Sequence, residues 1–122
     1  MTITIDKLGE MCYEQNRVIS LELGEPDLGN WDNLSQEIKD SIINGIMNIL
    51  KNPGISPEEN HENWLKYKRA EGWAYGKEQD SENKISKYLL PWSELTDLQK
   101  QKDEIFINII NQFKDEIEYV VV

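Results

Sequence analysis

The 122-residue chain has little of the chemistry that most often carries catalysis, with only one cysteine and one histidine. A single cysteine allows no internal disulfide, which suits a reducing compartment. Cys12 lies among apolar helix positions, and this favours a buried small hydrophobe over a nucleophile. The sequence also lacks a Cys/His set for structural zinc, a Walker-type loop and a Gly-x-Gly-x-x-Gly turn. We therefore expect no catalytic residue, no metal ligand, no cofactor and no enzymatic activity.

Long apolar runs are missing as well. None approaches the ~18 residues that a membrane span needs. The first six residues, Met1–Asp6, have neither the basic start nor the long apolar stretch of a signal peptide. These absences predict a cytoplasmic protein that makes no membrane contact.

Positive charge is scarce, and the formal net charge is −10. Residues 1–60 contain four cations and eleven anions, and residues 103–122 contain one cation and five anions. Residues 61–102 contain eight cations and seven anions, so only this segment has no acidic excess. A long nucleic acid would be repelled, whereas a small phosphate-bearing molecule could bind within residues 61–102.

Apolar periodicity predicts a mainly α fold of about four helices, all in one domain over residues 1–122. Residues 2–5 either start a short strand or lead into the first helix, for which Asp6 is a plausible N-cap. Its apolar stripe includes Val18 and ends before Gly24. Trp31 follows in a loop, and we expect it to pack on a neighbouring helix.

Start signals are clear for the other three helices. Ser35 predicts the start of a helix that runs to Lys51, Ser56 with Glu59 forms a capping box, and Thr96 with Gln99 forms a second one. After Gly72 the period changes to an extended segment, and residues 76–86 are expected to form a loop or irregular hairpin. The apolar tail Tyr119–Val122 is either a docked end or an edge that pairs with another subunit.

The most informative stretch is residues 61–76, where aromatic and basic side chains converge. Helical spacing places His61, Trp64 and Lys68 on one face. Two interpretations stay open: a satisfied histidine with core tryptophans, or a surface on which an aromatic ring stacks a base while cations hold phosphate.

These residues resemble the repeat of ryanodine receptors, the RyR domain. The resemblance is carried by His61-Glu62-x-Trp64, Gly72-Trp73-x-Tyr75-Gly76, Leu90-Pro91-Trp92 and Lys100-x-x-Asp103. The chain departs from the repeat at Lys87-Tyr88, where His-Pro is usual, and at Trp92, where Tyr is usual. Upstream residues look like the stand-alone bacterial or phage-type version. The resemblance divides the chain into an N-terminal helical part (1–54), a RyR-like region (55–114) and a tail (115–122).

The resemblance implies a compact helical domain with a short two-stranded element. It further implies binding or sequestration of a nucleotide-derived signal, such as ADP-ribose or a cyclic nucleotide, in bacterial–phage conflict. A homo-oligomer that shares its pocket between subunits is expected. The candidate ligand-binding residues are His61, Trp64, Lys68, Arg69, Trp73, Tyr75 and Asp80. Two alternatives remain: a protein-interaction module without a small ligand, and a hydrolase of nucleotide signals.

Overall fold

The computed structural model describes residues 2–118, of which most are helical. The four α-helices are α1 (Ile5–Glu22), α2 (Gln36–Lys51), α3 (Pro57–Ala70) and α4 (Asp97–Phe113). The four two-residue strands are β1 (Ile3–Thr4), β2 (Ala74–Tyr75), β3 (Ile85–Ser86) and β4 (Ile117–Glu118). Short 3-10 turns cover Trp31–Asn33, Ser81–Asn83, Trp92–Glu94 and Lys114–Glu116. The fold is therefore mainly α with a minor β component, as predicted.

Side-chain caps define where three of the helices begin. The Ser35 hydroxyl accepts from the Ile38 N–H at the start of α2. Ser56 and Glu59 form the predicted capping box of α3, and Thr96 with Gln99 forms that of α4. Each box satisfies N–H groups that have no partner inside the helix, so the three predicted starts are confirmed.

The predicted cap of α1 is wrong. Thr4, not Asp6, is the N-cap, and its hydroxyl accepts from the Lys7 N–H at 3.1 Å. The helix follows β1 without a loop, so its cap lies two residues earlier than the sequence indicates. Asp6 lies instead in the first turn, where a carboxylate suits the positive end of the helix dipole.

The core lies between α1, α2 and α4. Its buried side chains are Leu8, Cys12, Ile46, Ile49, Ile107, Ile110 and Ile117. Cys12 is buried as predicted, and this burial raises the pKa of its thiol to about 12. Val18 is 64% exposed, which corrects its assignment to the apolar stripe of α1. Trp31 packs over Gly9 of α1, as the sequence predicts.

Both sheets are two-stranded and parallel. β1 pairs with β4 through Ile3 and Ile117, which joins segments from opposite parts of the chain. β2 pairs with β3 through Ala74 and Ile85. Residues 76–84 return the chain so that β3 runs in the direction of β2. Within the predicted loop, Asp80 and Ile85 form an isolated antiparallel bridge with backbone hydrogen bonds of 3.0 and 2.9 Å. The tail Tyr119–Val122 lies outside the described residues.

No helix within residues 2–118 combines the length and apolarity that crossing a membrane requires. Over the same range, no group of three or more His, Cys, Asp or Glu side chains could hold a metal ion.

The contact between Gly9 and Trp31 predicts opposite effects of two glycine substitutions. A Cβ at Gly9 would lie 2.9 Å from Trp31 Cη2, whereas one at Gly45 would lie 3.4 Å from Phe106 Cζ. Alanine gains ~1 kcal/mol of helix propensity at either site, but overpacking at position 9 costs ~1–3 kcal/mol. We expect Gly9→Ala to lower the free energy of unfolding and Gly45→Ala to leave it unchanged or raise it. Urea unfolding compares the two variants, and equal stability would contradict the tight contact.

Candidate functional site

His61 is a buried connector between three segments. The side chain is 5% exposed, its Nε2–H donates to the Leu90 carbonyl at 2.7 Å, and its Nδ1 lies 3.5 Å from Asp103 Oδ2. The ring therefore ties α3 to the segment before the Trp92–Glu94 turn and to α4. Of the two open interpretations, the structure gives His61 backbone and carboxylate partners, and neither nitrogen points to an outside ligand.

The environment of His61 favours its charged form. Burial acts to lower the pKa of the imidazole. The hydrogen bonds to Asp103 and Leu90 and the negative charges of Asp103 and Glu62 outweigh burial, so the pKa is raised above its usual value. Protonation lets both ring nitrogens donate, which matches an acceptor on each side.

Glu62, the next residue of α3, binds the same segment before the Trp92–Glu94 turn. Its Oε1 accepts from the Trp92 N–H at 3.1 Å. The consecutive pair His61-Glu62 thus holds the segment Leu90–Trp92 at two backbone atoms. This gives the His-Glu pair of the sequence motif a definite structural role.

Two tryptophan rings pack against the imidazole of His61. Trp64 stacks on the imidazole with centroids 5.6 Å apart and planes 29° apart. Trp92 approaches at 6.0 Å with its plane tilted by 57°. Both tryptophans are half-buried, and Lys100 Nζ lies 5.8 Å from the Trp92 ring centroid. The outer aromatic surface is therefore reachable and has a cation beside it.

The end of α3 brings Lys68 to Trp73. Gly72 adopts a φ of +93°, the Gly72 N–H donates to the Arg69 carbonyl, and the Trp73 N–H donates to the Lys68 carbonyl at 3.0 Å. This Schellman arrangement places the side chains of Lys68 and Trp73 against each other. The Lys68 ammonium lies 4.9 Å from the centroid of the half-buried Trp73 ring and 3.9 Å from Glu71 Oε1.

Helical spacing aligns these two groups of contacts in one strip, which we term the α3 row. Trp64 and Lys68, four positions apart on one helix face, connect its two ends. The α3 row consists of Trp92, His61, Trp64, Lys68 and Trp73.

The other predicted ligand-binding residues, Arg69, Tyr75 and Asp80, are not part of the row. Arg69 is exposed on α3, and Tyr75 of β2 is 47% exposed. Asp80 is exposed, but its carboxylate accepts from the Asn83 backbone N–H and from Asn83 Nδ2, so it caps the Ser81–Asn83 turn. A role for Asp80 toward a ribose hydroxyl would have to replace these local bonds.

Trp92 and Lys100 are the functional candidates that sequence reasoning missed. Both belong to the quoted pattern, as Leu90-Pro91-Trp92 and Lys100-x-x-Asp103. Both residues are far from residues 61–76 in the sequence. Glu62 binds the Trp92 N–H and His61 contacts Asp103 of α4, and these contacts bring Trp92 and α4 next to α3. The available signal was that the quoted pattern contains both positions.

The α3 row combines the two kinds of group that a flat anionic molecule would require, aromatic faces and cations. It presents half-buried aromatic rings beside Lys68 and Lys100. Neither of the two described cavities includes a residue of the row. Its half-buried tryptophans therefore lie at the surface, outside both of these cavities.

The comparisons with known proteins identify one family. The family model for the RyR domain matches residues 55–114, which include the whole α3 row and the cap of α4. No curated protein matches the chain.

The His61–Asp103 pair predicts a pH-dependent stability. A raised pKa in the folded state means that the stabilisation is fully present below the unfolded pKa of ~6.5 and is lost as pH rises through the folded value. Asp103→Asn should lower the free energy of unfolding by ~1 kcal/mol near pH 6, and the deficit should shrink at higher pH.

The measurement is the melting temperature of wild type and variant across pH 5.5–8.5. Glu104→Gln, at an exposed neighbouring position of α4, is the matched control. A deficit that is independent of pH would contradict the role of imidazole charge.

Proposed function

Because residues 55–114 form a RyR domain, we propose that this chain is a non-enzymatic small-molecule-binding protein whose ligand is derived from a nucleotide. The observation that carries the proposal is the pairing of lysines with half-buried tryptophans along one surface: Lys68 on Trp73 and Lys100 on Trp92. A base needs an aromatic face and a phosphate needs a cation, and this surface offers both together.

Stacking would supply the base contact. Trp64 has His61 against one face, so its other face is the natural platform for a base. Stacking of a base on an aromatic side chain contributes ~1–3 kcal/mol. The buried imidazole holds the Trp64 ring in place, which reduces the ordering cost of binding.

Lys68 would supply the phosphate contact. Its present partner, Glu71, is 41% exposed and 3.9 Å away, and such a pair is worth little. A phosphate could replace it at small cost, with Arg69 one residue further along α3. The charge distribution favours a short anion here, because both flanking parts of the chain are strongly acidic.

An open surface encloses a ligand poorly, so we propose that a second copy of the chain covers it. A homo-oligomer would then complete the site. We further propose that the biological setting is sequestration of a nucleotide signal in the conflict between bacteria and phages, on the strength of the family resemblance.

Isothermal titration with ADP-ribose, ATP and cyclic AMP tests the binding proposal. We expect at least one of them to bind, and Trp64→Ala to weaken it by about tenfold or more, the equivalent of ~1–3 kcal/mol of stacking. Lys68→Met should weaken the same ligand while leaving the helix intact. Lys66→Met, an exposed cation on the same helix, is the matched control and should retain affinity within about twofold.

Two results would overturn the proposal. One is the absence of binding for all three nucleotides. The other is unchanged affinity in both Trp64→Ala and Lys68→Met, with circular dichroism showing that each variant is folded. Intact ligand recovered after denaturing the complex would support binding without hydrolysis.

A further inference from the structure

One lysine of the α3 row lies between two aromatic rings. Lys68 follows Trp64 by one helical turn, about 6 Å further along α3. Its ammonium lies 4.9 Å from the centroid of the Trp73 ring. The order of groups at this end of the row is therefore ring, cation, ring. The function proposed above assigns a base to Trp64 and a phosphate to Lys68, and it leaves the ring of Trp73 without a ligand group.

The imidazole of His61 determines in which direction a ligand extends from Trp64. It packs on Trp64 at 5.6 Å and on Trp92 at 6.0 Å, so it occupies the space between these two tryptophans. The imidazole is 5% exposed and hydrogen-bonded to the Leu90 carbonyl, and displacing it would leave buried polar groups unpaired. A ligand whose base lies on Trp64 therefore continues toward Lys68 and not toward Trp92.

Trp73 has a fixed backbone at the end of this path. Its N–H donates to the Lys68 carbonyl at 3.0 Å, and the N–H of the next residue, Ala74, donates to the Lys84 carbonyl at 2.9 Å. The Lys84 ammonium in turn donates to the Glu71 carbonyl at 2.8 Å. The Trp73 ring is half-buried, so part of its surface meets solvent. A ring that is already held in place requires little ordering when a ligand binds.

The surroundings of Lys68 favour an uncharged planar group beyond the phosphate. Besides Trp73, the ammonium lies 6.0 Å from the ring of Tyr67, which is 62% exposed, and 3.9 Å from Glu71 Oε1. A terminal phosphate that continued past Lys68 would approach the Glu71 carboxylate, and the net charge of −10 adds to this repulsion. A second base carries no charge and stacks on an aromatic face.

We propose, on the basis of the nucleotide-binding function given above, that the ligand of the α3 row is a dinucleotide with two bases joined through a diphosphate. One base lies on Trp64 and the second on Trp73. The diphosphate lies at Lys68, with Arg69 next to it on α3. A mononucleotide would reach only one of the two rings, because Lys68 lies between them.

Diadenosine diphosphate and ADP-ribose form a matched pair of probes. Both contain adenosine and a diphosphate, and they differ at the far end, which is adenosine in the first and ribose alone in the second. Isothermal titration of the full chain should show that diadenosine diphosphate binds about tenfold or more tightly than ADP-ribose, as one further stacked base predicts. This difference exceeds the statistical factor of about two that a symmetric ligand has.

Two substitutions of Trp73 test the position of the second base. Trp73→Leu removes the aromatic face and should abolish the preference for diadenosine diphosphate over ADP-ribose. Trp73→Phe is the matched control, because it keeps a smaller ring at the same position and should retain part of the preference. Circular dichroism shows whether each variant is folded, and the comparison of the two probes on the wild type tests the ligand class without either variant.

Equal affinity of the wild type for the two probes would overturn the dinucleotide assignment while the nucleotide-binding proposal stands. A full preference in folded Trp73→Leu would also overturn it, because the second base would then lie elsewhere. Binding of neither probe would contradict both proposals. The two failures are therefore distinguished by whether ADP-ribose binds.

Discussion

The buried imidazole of His61 makes the contacts on which the α3 row depends. A histidine at this depth needs a partner for each nitrogen, and the chain supplies one from the segment before Trp92 and another from α4. Three separate stretches are thereby fixed at one point, and Trp64 and Trp92 take their positions from the ring between them. The positions of the two tryptophan rings therefore depend on the buried polar contacts of His61. The buried imidazole in this way determines the geometry of the aromatic rings around it.

A second polar network joins the N-terminal part to the RyR domain. Glu25 Oε2 accepts from the Tyr88 hydroxyl at 2.6 Å and lies 3.1 Å from Lys102 Nζ. The half-buried Glu25 would otherwise have its pKa raised by burial, but the hydroxyl and the nearby cations lower it below its usual value. Lys87 reaches across the same junction to the Leu23 carbonyl at 2.7 Å. The Lys87-Tyr88 pair thus holds the two parts together.

Local signals predicted much of the fold, and long-range pairing accounts for what they missed. The caps at Ser35, Ser56 and Thr96 involve residues three apart, so the sequence contains all that is needed to find them. The parallel strand pairs could not be predicted. No sequence pattern links Ile3 to Ile117, and the two residues come together only when the helices have packed. The row was predicted in part: helical spacing placed Trp64 with Lys68, whereas Trp92 reaches the row through a bond to Glu62 that no local pattern encodes.

Because α4 packs on α1 and α2, the region that matches the RyR family is shorter than the unit that folds. Residues 55–114 include α4, but the inner face of that helix, with Ile107 and Ile110, is covered by Leu8 and Cys12 of α1 and Ile46 of α2. A fragment limited to the matched region would expose an apolar stripe to water. A graft of this domain onto another protein would therefore have to include the first two helices or a substitute for them.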